Sequence, residues 1–108
     1  MRWSNLPAAA LAAVLAVASP YSLAAADPRL DGIKQIERNA CVRLGNTGPG
    51  APRNLKLAPQ YCECVARTYW DHIPKAEIDE VMNNGQSAAV DQRREQRMAE
   101  ARAACQMK

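Results

Sequence analysis

The chain has 108 residues, with 14 Lys and Arg against 11 Asp and Glu, one His, four Cys, no Phe and 48% apolar residues. Residues 1 to 26 carry a single charge, Arg2, so residues 27 to 108 hold 13 basic and 11 acidic side chains and every cysteine. Some 82 residues at a net charge near +2 exclude a Rossmann unit, a barrel or paired catalytic and regulatory domains, and lack the basic footprint of a nucleic-acid binder.

Arg2 supplies a short positive segment, Leu6 to Ala18 form a charge-free apolar run, and Ala24, Ala25 and Ala26 provide small residues at the −3 and −1 positions. This is the layout of a secretory signal, and we expect cleavage after Ala26. Thirteen apolar residues make only ~20 Å of helix, short of a ~30 Å hydrocarbon core, so no stable membrane anchor is expected. The first cysteine, Cys41, lies too far from the cut to be lipidated. An Ala-rich signal of this kind resembles bacterial ones, which predicts a periplasmic or secreted protein.

Asp27-Pro28 opens a helix through an Asx cap followed by proline at the first helical position. Leu30, Ile33, Ala40 and Leu44 fall on one face, Ile36 and Cys41 on its edges, and Gly45 ends the pattern. Residues 45 to 54 contain three glycines and two prolines, which predicts a surface loop. Pro59 to His72 reads as a second helix, with Cys62, Val65, Ala66, Tyr69 and Ile73 in one arc and Glu63, Arg67 and Asp71 opposite. Pro74 precedes a short third helix, Lys75 to Asn83, with Ile78, Val81 and Met82 inward and Gly85 beyond its end. A fourth helix runs from about Ser87 to Cys105. No alternating strand pattern occurs, so the fold class is all-α, an irregular bundle of three long helices and one short one in a single domain over 27–108.

From residue 27 onward only 18 of 82 residues are Leu, Ile, Val, Met, Trp or Tyr. A core this thin is commonly stapled, and an even number of cysteines behind an export signal predicts two disulfides. Cys62 and Cys64, two apart on a helix, point ~200° from one another and should not pair. Cys62 lies at the centre of its apolar arc and Cys105 in line with Met98 and Ala101, while Cys41 and Cys64 lie at arc edges. The preferred pairing is therefore Cys41 with Cys64 and Cys62 with Cys105. The rival joins Cys41 to Cys62 and Cys64 to Cys105.

Catalytic, metal and cofactor signals are weak, and none is assigned. Glu63 between two sulfurs disfavours a thiolate, and the α/β frame of thiol oxidoreductases is missing. Cys41, Cys62, Cys64 and His72 are zinc-ligand types at spacings unlike those of zinc fingers. His72 falls in the last turn of its helix, where a cation complements the dipole. No constellation for hydrolytic catalysis is present, which points away from an enzyme.

The surface singled out for partner binding combines Trp70 and Arg67 with Arg93, Arg94 and Arg97. The stretch Asp91 to Arg97 is polar around the whole helix, and Arg94 and Arg97 occupy the arc in which Val90, Ala101 and Cys105 are apolar. Trp70 lies about 100° from the centre of its helix's apolar arc, which predicts a half-exposed indole beside guanidinium groups, the composition of an interface anchor. The alternative is an Arg stem packed over Trp70 within the monomer. The Gly45 to Asn54 loop is a second candidate contact surface, or else a linker.

The stretch Tyr61-Cys62-Glu63-Cys64-Val65-Ala66, with Pro74-Lys75-Ala76-Glu77-Ile78 downstream, resembles a pattern in uncharacterised small exported bacterial helical proteins. More remotely, the layout is similar to periplasmic immunity proteins that neutralise peptidoglycan-degrading effectors of type VI secretion. That resemblance implies a non-enzymatic binding protein, dimeric, that blocks an enzyme cleft as an inhibitor or immunity factor. The competing expectations are an envelope stress or metal-binding factor, and a thiol oxidoreductase.

Overall fold

In the computed structural model the described residues are 27–45 and 48–107; the expected signal segment, 1–26, lies outside them. The Asp27 carboxylate accepts from the Arg29 backbone N–H and caps a 3-10 turn, Pro28–Leu30, that leads straight into α1, Asp31–Arg43. Gly45, at φ 66°, turns the chain out of the helix. A second 3-10 turn, Leu55–Leu57, capped by Asn54, feeds α2, Ala58–Asp71. Pro74 precedes α3, Lys75–Asn84, which ends at Gly85 in the left-handed region at φ 79°. Ser87 then caps α4, Ala88–Ala104, by accepting from the Val90 N–H. Among the described residues the fold is thus four helices with no strand, as the periodicity predicts.

Helix α2 is the hub. Tyr61, Cys62, Val65, Ala66, Tyr69 and Trp70 are all buried on it, and α1 and α4 pack on its two flanks. Both run antiparallel to it. The Cys41–Cys62 bridge joins the end of α1 to the start of α2, while Lys34 on α1 pairs with Asp71 at the far end. Cys64–Cys105 ties the start of α2 to the end of α4, while Arg94, higher on α4, reaches Tyr69. Leu30 and Ile73 close the core, and α3 contributes Ile78.

Three sequence expectations are corrected here. The disulfides are Cys41–Cys62 and Cys64–Cys105, the rival pairing rather than the preferred one. Burial does not choose the partner; direction does. The two cysteines of α2 point ~200° apart, and since α1 and α4 occupy different flanks, each cysteine meets the helix on its own side. Leu44 is 77% exposed and Ile36 68% exposed, although periodicity places the first on the core face and the second at its edge. Leu44 is the residue that caps α1, one step past the last helical turn, where no neighbour covers it. Met82, expected inward, is likewise exposed, whereas Val81 packs against the core.

Two disulfides in so small a chain mark an oxidising, extracytoplasmic environment. No helix among the described residues is long and apolar enough to cross a membrane.

Candidate functional site

The five residues predicted to bind a partner do not form one surface. Trp70 is 3% exposed. Its ring meets Tyr69 edge-on at 5.2 Å, and its indole N–H donates to Glu37 Oε1 of α1 at 2.9 Å. The expectation of a half-exposed indole fails because α2 is covered on two sides, which widens its buried arc beyond what one apolar stripe predicts. Arg97 also turns inward, where its guanidinium forms a forked pair with Glu77 of α3 at 2.7 and 3.2 Å, both side chains mostly covered.

Arg94 lies 5.2 Å over the Tyr69 ring, and donates to the Tyr69 hydroxyl at 3.3 Å and to Glu37 Oε2 at 3.5 Å. Burial pushes the Tyr69 hydroxyl pKa up, against the opposing pull of Arg94, so the phenol stays neutral. Burial works against the charge on Arg94, but Tyr69 and Glu37 outweigh it and hold the guanidinium protonated. The stacking partner of this arginine is therefore a tyrosine, not the tryptophan considered from the sequence. Arg67 on α2 and Arg93 and Arg94 on α4 are the three of the five open to solvent, and Arg94 is engaged with Tyr69 and Glu37.

His72 Nδ1 lies 2.7 Å from the Thr68 carbonyl. A carbonyl only accepts, so Nδ1 carries the proton and the ring caps the end of α2. All four cysteines are bridged. Among the described residues no three His, Cys, Asp or Glu side chains converge as a metal site would require.

What the structure does assemble is a groove. Helices α1 and α4 flank α2 without closing over it, which leaves a cavity of about 240 Å³. Its floor is Val65, Ala66 and Cys62, its walls Ala40, Cys41 and Leu44 on one side and Met98 and Arg102 on the other. One end is barred by the Arg94–Glu37 pair, which spans from α4 to α1. The other end opens beside the Cys41–Cys62 bridge. There the groove adjoins a shelf of about 640 Å³ along α4 and the Pro49-Gly50 turn. Gly50, at φ 87°, lets that turn come close: a Cβ here would stand 3.1 Å from the Arg102 carbonyl oxygen. Part of the glycine-rich loop thus packs on α4, and the Tyr61 hydroxyl, which donates to the Pro49 carbonyl, holds it there.

Sequence reasoning places Met98 toward the core, where it packs, but misses that Leu44, Met98 and Arg102 line a groove. Leu44 carries one readable signal, its place directly before the helix-ending Gly45. Met98 and Arg102 carry none, since a groove exists only once two helices stand apart on a third. No family model, curated protein or solved structure matches this chain.

Proposed function

We propose that this chain is a non-enzymatic binding module, exported to the periplasm or beyond, that acts on a protein partner as an inhibitor or immunity factor. One observation carries the reading: an open apolar groove whose two walls are each bolted to the floor helix by a disulfide, Cys41–Cys62 on one side and Cys64–Cys105 on the other. Covalent fixing of both walls keeps a recognition surface preorganised, which lowers the ordering cost of association. Leu44, 77% exposed at its rim, continues the apolar lining out toward solvent, so a partner that covers it gains by its burial. The cysteines act as staples in this reading, and the resemblance to immunity proteins agrees with it.

The test is expression of the full chain with a C-terminal tag, followed by recovery of the periplasmic fraction. The expected product begins at Asp27, takes up no alkylating agent without reductant, and retains one partner that Leu44→Asp and Met98→Glu release. Alkylation of the native protein would favour the oxidoreductase reading. Broad retention of unfolded envelope proteins would favour a factor that binds exposed apolar segments, for which the same groove would serve. Capture indifferent to both substitutions would place binding elsewhere on the chain.

A further inference from the structure

We infer that the open end of the groove receives an acidic amphipathic helix of the partner protein, with an apolar side chain over Val65 and the Cys41–Cys62 bridge and a neighbouring carboxylate on Arg102. This rests on the binding reading above and names the chemistry of the partner. The three arginines on the inner and groove sides of α4 differ in what they meet. Arg94 has Tyr69 and Glu37, and Arg97 has both oxygens of Glu77. Arg102, which lines the groove, has no ion pair among the described residues, and its Nε–H is enclosed by the protein without an acceptor. A buried donor left unpaired is unfavourable, and a planar guanidinium is matched best by a carboxylate that takes two of its N–H groups.

The surroundings select the sign and the shape of the occupant. Glu37, the carboxylate lining the cavity, is spent on the Trp70 indole and on Arg94 at the barred end. Glu95, on the shelf, stands two turns, ~10 Å, up α4 from Arg102. Arg43, exposed and without an ion pair among the described residues, adds a second positive charge in the last turn of α1, directly before Leu44 in the chain. The α1 rim presents Ile36, Ala40 and Leu44 at intervals of four, a ridge along which a helix lies with its own apolar face inward. Apolar floor, apolar ridge and unspent positive charge together describe the complement of an amphipathic helix with acids flanking its stripe.

The probe is a displayed library of 16-residue amphipathic helices with a fixed Leu stripe and randomised flanks, selected on the oxidised protein. Recovered helices should be enriched in Glu or Asp beside the stripe. A peptide made from one of them should shift the side-chain Nε–H resonance of Arg102. R102Q should weaken that peptide at least tenfold, Glu→Gln in the peptide should do the same, and the two together should add nothing further. Leu44→Asp should abolish binding, with melting curves confirming that both protein variants fold. Helices without acidic bias, equal affinity for R102Q, or no helix recovered would overturn the inference. So would self-association of the protein alone that Leu44→Asp removes, since a second copy would then be the occupant. Periplasmic capture that survives Leu44→Asp while the library yields nothing would discard this site but keep the binding role, whereas no capture by the unsubstituted protein would discard the role itself.

Discussion

Trp70 illustrates how one polar atom directs a large side chain. Its indole is buried on every side except where the N–H must be satisfied, and there α1 supplies Glu37 at 2.9 Å. The carboxylate is in turn shared with Arg94, so one acid joins three helices. Trp70→Phe keeps most of the apolar contact but removes the donor from a half-buried carboxylate. It should lower unfolding free energy by about 1 to 3 kcal/mol in a urea titration, and a loss no larger than a surface change would mean that Arg94 satisfies Glu37 alone.

Among the elements, α4 is the one whose sequence least explains its place. Only Val90 and Ala101 of its 17 residues are buried, and Asp91 to Gln96 are all exposed. A helix without an apolar stripe gains little from burial, so its position depends on discrete ties: the Ser87 cap, the Arg94–Tyr69 contact, the Arg97–Glu77 fork and the Cys105 bridge. The fork also holds α3, which buries only Ile78. Arg97→Ala leaves Glu77 uncompensated in a site where both partners are under a fifth exposed. The expected loss is about 2 to 3 kcal/mol, below the ~3 to 5 of a fully enclosed pair because some water reaches this one. Hydrogen exchange should show α3 opening first in the variant, and uniform destabilisation would argue against a tie specific to α3.

At the scale of the whole molecule, the staples and the N-terminal turn set the conditions under which the fold survives. The bridges span 21 and 41 residues, so by chain entropy they contribute about 3 and about 4 kcal/mol. Replacing Cys64 and Cys105 by Ala should therefore destabilise more than replacing Cys41 and Cys62. The connectivity itself is checked by cleavage after Glu63, which separates the two α2 cysteines and should release Cys41 with Cys62 and Cys64 with Cys105 by non-reducing mass spectrometry. Acid tests a different tie. The Arg29 side chain beside Asp27 holds its carboxyl down at about 2, and Arg29, then Lys75, lower that of Asp79 on α3. A depressed carboxyl stabilises the fold above its unfolded pKa near 3.8 and ceases to do so as pH falls through about 2. The N-terminal turn should hence detach from α3 between about pH 4 and pH 2, read as the Asp27 carboxyl carbon shift together with loss of the Arg29 amide's protection. In Arg29→Gln that titration should move up toward the ordinary value.

The sequence by itself determined where helices begin and end and that the cysteines pair. Asp27 and Ser87 at N-caps, Pro74 before α3, and Gly45 and Gly85 past helix ends act within a few residues of their own positions, so their effect is readable without a fold. An even set of cysteines in a core of this size was legible for the same reason. The tertiary structure alone decided which cysteine meets which, that Trp70 turns inward, and that Leu44, Met98 and Arg102 border an open groove. Each of those depends on the angle at which α1 and α4 stand around α2. That angle is a property of three segments packed together, and periodicity, which describes one helix at a time, carries no record of it.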